Sequence, residues 1–221
     1  MKIIKKIDCL VILGWALAID LAFTQISFGS KNVPFINHES KNSEETFIQQ
    51  GKSKAEIERA ANHLYKQALK KYKDELYWKS AIDLIVVLDF YTEFSKLDKV
   101  ISLLGSCLYE MGMFDGADRM YRYLLKAIPK TPQLPDALLG LQKINYQKKD
   151  YKKSLKFYRA LETHYSTHDG INESRYYAGQ THFHLKNFAL APQIFKHIGK
   201  RSEFYPFGLY TSGLIYLKKK I

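Results

Sequence analysis

Five histidines crowd the second half of the sequence. His164 and His168 stand four residues apart, His182 and His184 two apart, and His197 follows. Histidines four apart on one helix can share a zinc ion, because both rings leave the same face. The neighbouring residues argue against that chemistry. Ser166 and Gly170 put His164 and His168 around a helix end, and a spacing of two points His182 and His184 to different faces. No carboxylate pair stands nearby to complete a site. The chain also has no cysteine pair at metal spacing, no glycine-rich phosphate loop and no nucleophile elbow. These histidines read as loop or packing residues, with no metal, no cofactor and no catalytic residue. Of the two cysteines, Cys9 lies near the N-terminus and Cys107 alone remains beyond it. One thiol makes no internal bridge, and Cys107 reads as a small buried apolar side chain. Asn172-Glu173-Ser174 has the form of a glycosylation sequon, a three-residue match that is frequent by chance.

The chemistry therefore lies in surfaces, and the chain must first be divided. Lys2, Lys5 and Lys6 precede an apolar run from Cys9 to Phe23, and small residues follow at Ser27, Gly29 and Ser30. That order describes a secretory signal peptide over residues 1–29, cleaved after Gly29. The run is short for a membrane span, which needs about 20 apolar residues, although an uncleaved anchor is the alternative. Residues 30–53 carry Pro34, Gly51 and many Asn, Ser and Lys, with no apolar period, and read as a disordered linker.

The chain carries a net charge of +12, yet only six of its 34 basic residues are arginine, the residue suited to bidentate recognition of bases and phosphates. The lysines are spread along the sequence. A solvated basic surface is expected rather than a nucleic-acid site. Attraction to an anionic membrane or polymer surface stays open.

Internal repetition decides the architecture. Phe114, Tyr151 and Phe188 are 37 residues apart, and each begins the same pattern. A small residue follows three positions later (Ala117, Ser154, Ala191). Another aromatic comes four after that (Tyr121, Tyr158, Phe195), then an aliphatic three further on (Leu124, Leu161, Ile198). Small and aromatic residues four apart share a helix face, so a neighbouring helix can approach at the small one while the ring fills the space beside it. An apolar helix precedes each copy, which makes the unit a helical hairpin that buries its face by stacking.

This pattern resembles the tetratricopeptide repeat. Ile101, Leu104, Gly105 and Leu108, then Ala117, Tyr121 and Pro129, stand at that family's spacings. In the third copy Gly179, Ala191 and Phe195 match, with Arg175 in place of the large apolar residue. The middle copy keeps Leu138 and Leu141 but has Gln142 for the glycine and Ser154 for the alanine. Leu209, Gly213 and Tyr216 begin a fourth first helix, which breaks off at Ile221. The expectation is an all-α solenoid of stacked hairpins, a superhelix of the tetratricopeptide type, after the signal peptide and linker. Its units are a diverged hairpin at 54–93 and repeats at about 98–131, 135–168, 172–204 and a partial 206–221. In the first hairpin Ile57, Ala61, Leu64, Ala68 and Tyr72 share one face, and Trp78, Ala81, Ile82, Ile85 and Leu88 another. Asp150 and Asn187 are the expected N-caps of second helices, and Pro192 is tolerated near the start of its helix or kinks it.

The resemblance implies a non-enzymatic protein-binding scaffold, and the leader implies that it is exported, bacterial-type, and works in the periplasm or an envelope assembly. The alternatives are a structural module or N-terminal piece of a longer array, or a basic protein held at anionic lipid or polymer. In that family first helices line a concave groove. Carried over, that face also holds Ser102, Ser106, Leu139 and Leu217, and its groove candidates are Tyr109, Lys143, Tyr146, Tyr176, Gln180, Phe183 and Tyr210. The packing residues are Gly105, Ala117, Tyr121, Ser154, Tyr158, Gly179, Ala191, Phe195 and Gly213. The aromatics either pack against neighbouring hairpins or face an apolar or extended peptide. The terminal helix, apolar up to Lys218, points to self-association, partner burial or a longer array.

Overall fold

The structure is a computed structural model, and it describes residues 53–218. The expected signal peptide and nearly all of the linker lie outside the described residues. The described chain is helical, with no strand. It forms α1 (Lys54–Lys73), α2 (Tyr77–Phe90), α3 (Leu97–Glu110), α4 (Phe114–Ala127), α5 (Leu134–Gln147), α6 (Tyr151–His164), α7 (Ile171–His184), α8 (Ala191–Phe195) and α9 (Tyr205–Lys218). Each helix packs on the next, and first helices also touch first helices of adjacent hairpins. This is the stacked-hairpin solenoid that the repeat pattern requires.

One turn recurs in all four hairpins. A residue in the left-handed region follows the first helix: Glu75, Gly112, Lys149 and Lys186, at φ 60, 75, 60 and 61°. The next residue's N–H reaches back to the carbonyl of Lys71, Leu108, Asn145 or His182, at 2.8 Å in every case. This is the bonding of a Schellman cap, where glycine fits freely and a side chain costs about 1–2 kcal/mol. An aromatic clasp spans each turn. Tyr72 meets Tyr77, Tyr109 meets Phe114, Tyr146 meets Tyr151 and Phe183 meets Phe188, with centroids 5.3 to 6.1 Å apart. The first hairpin thus keeps the 37-residue period, with Tyr77, Ser80 and Leu84 in the places of Phe114, Ala117 and Tyr121. Ser80 Oγ donates to the Ala68 carbonyl as Ser154 Oγ donates to that of Gln142, twelve positions back in both.

The core sits where hairpins meet. Ala117 and Ala191 are fully buried. The Tyr121 ring lies between two glycines of different first helices. A Cβ on Gly105 would come within 2.7 Å of it, and one on Gly140 within 2.2 Å. Gly179 approaches Phe195 as closely, at 2.3 Å. The middle repeat solves the contact differently. Gln142, fully buried, donates from Nε2 to the Ser174 carbonyl at 2.8 Å and accepts from Ser174 Oγ, joining α5 to α7. Tyr158, expected in the packing seam, is only half-buried, with Gln142 standing where the first and third copies have glycine. Arg175, the other departure, forks onto both Glu162 oxygens at 3.1 and 2.8 Å and donates to the His197 carbonyl.

Several expectations change. In α2 the buried face is Ser80, Ala81, Leu84 and Val87, whereas Trp78, Ile82 and Ile85 face solvent. α8 begins at Ala191 and has five residues. Pro192 offers no N–H for a bond back to residue 188, so it stands in the first turn, where none is needed. Leu190 therefore occupies the N-cap position, and the Asn187 amide meets His182 Nδ1 at 3.3 Å. Asp150 does cap α6, accepting from the Lys153 N–H at 3.1 Å. From α7 to α9 the spacing shortens to 34 residues. Gly213 has no atom within 4 Å of where its Cβ would stand. In the first and third copies a second-helix ring sixteen positions later meets the glycine. The close approach on α9 is made by Gly208, against Phe195 and Ile198.

The two terminal helices differ. Val100, Leu104 and Cys107 of α3, with their counterparts Ala137, Leu141 and Ile144 of α5, are buried against the preceding hairpin. α1 carries His63, Gln67 and Lys70 at those positions, all exposed. α9 leaves Phe207, Leu209, Tyr210, Leu214, Tyr216 and Leu217 40 to 69% exposed.

Candidate functional site: the groove of first helices

Because the 37-residue period puts equivalent side chains in rows, the inner face can be read row by row. One row is Tyr65, Ser102, Leu139 and Tyr176. A second is Leu69, Ser106, Lys143 and Gln180. A third is the clasp row Tyr72, Tyr109, Tyr146 and Phe183. Where α1, α3 and α5 contribute, the rows leave a hollow of about 330 Å³. Leu69, Leu103 and Leu139 give it apolar walls, and Tyr65, Tyr72 and Tyr109 line its side. Ser102 and Ser106 are the reason it is open: small side chains stand there where α7 has Tyr176 and Gln180. The Tyr121 hydroxyl reaches the floor and meets Ser106 Oγ at 3.1 Å.

Charge enters at one end. Lys143 Nζ pairs with Glu173 Oε1 at 2.7 Å and lies 4.6 Å from the Tyr109 ring centre. Burial pulls the ammonium down, but Glu173 outweighs it and holds the group above its ordinary value. Lys143 therefore stays a cation at neutral pH. At the opposite wall burial, against the attraction of His168, raises the Asp136 carboxyl. Lys99 and Glu110 complete a lining with both signs of charge. Such a surface can take apolar side chains between the leucines and tyrosines. It can hydrogen-bond an extended backbone through the serine and tyrosine hydroxyls.

The structure separates the sequence-predicted groove residues. Tyr109 and Lys143 line the hollow. Tyr146 packs on Tyr177 and Tyr151 and bonds His184 Nε2 through its hydroxyl at 3.1 Å; burial lifts that phenol to about 12. Tyr176 packs on Phe195, Phe204 and Phe207, and Gln180 Nε2 donates to Thr211 Oγ1 at 2.9 Å. Phe183 closes against Phe188. Tyr210 is 69% exposed on α9. Sequence reasoning missed Tyr65, Leu69, Leu103 and Gly140. The first-hairpin period would have found Tyr65 and Leu69, since they stand 37 residues before Ser102 and Ser106.

The other reactive side chains are occupied. Burial pushes the Cys107 thiol up to about 11, although its Sγ contacts Ser80 Oγ at 3.3 Å. His168 accepts the Gly170 N–H and faces Asp136, and the His184 ring stacks on Tyr151. Asn172 Oδ1 accepts the Gly199 N–H at 2.9 Å. Among the described residues no group of three His, Cys, Asp or Glu could hold a metal ion. No helix among them is long and apolar enough to cross a membrane.

No protein-family model matches the sequence, and no curated protein matches it. Among solved structures the chain resembles MamA of AMB-1, crystal form P212121, a helical protein of the tetratricopeptide-like kind. The TM-score is 0.55 and the identity 15%, over 73% of this chain and 83% of that one. The likeness shows the fold: a tetratricopeptide-like solenoid of stacked helical hairpins.

Proposed function

We propose that this chain is a non-enzymatic protein-binding scaffold, exported to the periplasm or envelope, and that it holds an extended peptide in the groove of α1, α3 and α5. The observation that carries the reading is the hollow itself. Three successive first helices leave room at Ser102 and Ser106 and surround it with leucine, tyrosine and charges of both signs, Lys99 and the Glu173-paired Lys143 against Glu110 and Asp136. Those features suit a segment with apolar side chains and an acidic group near Lys143. Tyr109 and Lys143 are the binding residues of this reading. The apolar face of α9, Tyr210 included, is a second contact surface; it takes a following second helix or a second copy of the chain.

Selection of displayed random peptides on the folded chain supplies ligands, and fluorescence anisotropy then reads their affinity. Ser106→Trp fills the hollow and is expected to weaken selected peptides on the order of a hundredfold. Lys143→Met is expected to cost on the order of tenfold for peptides carrying an acidic residue. Selected peptides whose affinity ignores both variants would refute the groove reading. Export is tested separately: mass spectrometry of the secreted chain should find Ser30 at its start, and an intact Met1 on the exported protein would contradict cleavage.

A further inference from the structure

The repeat allows an internal control on the outer face. Residues 78, 82 and 85 of α2 correspond to Asp115, Arg119 and Arg122 of α4 and to Lys152, Lys156 and Arg159 of α6. All nine are exposed, so these positions look outward in every hairpin. On α4 and α6 they are charged, mostly cationic. On α2 they are Trp78, Ile82 and Ile85, exposed at 46, 42 and 37%. Neither the fold nor the core asks for apolar side chains there, because two sister helices do without them. The apolar row needs its own reason.

We infer that the outer face of the second helices docks on an anionic lipid surface, with Trp78, Ile82 and Ile85 entering the headgroup boundary and the basic rows of α4 and α6 resting on the phosphates. Tryptophan is the side chain most suited to that boundary, being broad, apolar and able to donate one hydrogen bond to a headgroup. The isoleucines add apolar depth. The partner is chosen by charge complementarity. The neighbouring row on α4 carries Arg119 and Arg122 with one acid, Asp115, which pairs with Lys148; the row beyond it on α6 is Lys152, Lys156 and Arg159 with no acid, and the whole chain carries +12. Such a surface is repelled from a second copy of itself and drawn to anionic headgroups. This face is opposite in role to the groove, which stays free for a peptide, so the two readings stand or fall apart.

The test uses the full chain with Trp15→Phe, which leaves Trp78 as the sole tryptophan reporter. Vesicles of phosphatidylcholine with roughly a third phosphatidylglycerol are compared with pure phosphatidylcholine. Trp78 emission is expected to shift to the blue on the anionic vesicles, and added salt to reverse it. Two variants in full-length background read the contributions by sedimentation with vesicles. Trp78→Ala/Ile82→Gln/Ile85→Gln borrows the residue types of Ala189 and Gln193 at the first two matching positions near α8 and puts a neutral polar residue where Lys196 stands at the third, so the fold is expected to tolerate it. Lys152→Glu/Lys156→Glu/Arg159→Glu reverses the basic row. Each should weaken partition on the order of tenfold or more. Unchanged partition in both variants would show that the N-terminal apolar run alone holds the chain, and would overturn the inference. It would equally be overturned by Trp78 emission indifferent to vesicles, or by a blue shift that needs only a higher protein concentration and marks a protein contact.

Discussion

The two halves of the inner face are built on one scaffold and end differently. From α1 to α5 the rows pass through Ser102 and Ser106 and leave a hollow. From α5 to α9 the same rows pass through Tyr176 and Gln180, whose side chains reach Phe204, Phe207 and Thr211 and fill the space. A solenoid therefore makes a site by omission. The aromatic row that looks most like a binding surface in the sequence is spent on packing, and the open site lies where the side chains are smallest.

That contrast can be broken most forcefully by changing one row residue in each half. Tyr176→Ser removes a ring wedged among Phe195, Phe204 and Phe207, and should cost about 2–4 kcal/mol. Ser106→Tyr adds a ring at the part-buried edge of the hollow and should cost less than about 1 kcal/mol while abolishing peptide binding. Urea unfolding of both variants decides; equal losses would mean that the C-terminal half is no better packed than the hollow.

The glycines sharpen the comparison next. A Cβ at Gly140 would stand 2.2 Å from the Tyr121 ring, and one at Gly213 would meet nothing. Gly140→Ala should lose about 1–3 kcal/mol through overpacking, whereas Gly213→Ala should gain up to about 1 kcal/mol in helix propensity. Matching signs in thermal unfolding would remove the distinction between an occupied and an open crossing.

Between the halves lies the polar lock of Gln142 and Ser174. Ser174→Ala strips the buried amide oxygen of its donor, and a loss of about 1–2 kcal/mol is expected. A neutral result would mean that this contact contributes nothing to joining α5 and α7. The smallest effect concerns the repeated turn. Lys149→Gly relieves a side chain at φ 60° and should stabilise by about 1 kcal/mol, with Gly112 as the natural precedent. Destabilisation would show that the lysine side chain offsets its backbone cost.

Much of the scaffold was legible in the sequence, because buried contacts between helices demand residue types at fixed spacing. Ala117, Tyr121, Ala191 and Phe195 announce the stack, Gly105 and Gly179 the crossings, and Asp150 the start of α6. The first hairpin kept the period but hid it: Leu84 stands where a ring marks the others, and Ser80 where an alanine does. Reading Trp78, Ile82 and Ile85 as its inner face followed hydrophobicity alone, which cannot tell a core stripe from an exposed one. Asn187 and Pro192 were legible only locally: the missing N–H of Pro192 confines it to the first turn, so the helix starts at Ala191, past Asn187. The hollow was partly legible: Ser102, Ser106 and Leu139 fall on the first-helix face that the resemblance makes the groove, but nothing in their types shows that the space beside them stays open. Whether Tyr176 lines a groove or fills it depends on Phe204 and Phe207, residues some thirty positions away.

The central claim is that the peptide site is the open half of the inner face, and hydrogen exchange with a selected peptide tests it most directly. Saturating peptide should slow exchange in α1, α3 and α5 and leave α7 and α9 unchanged. Protection confined to α7 and α9 would contradict the account.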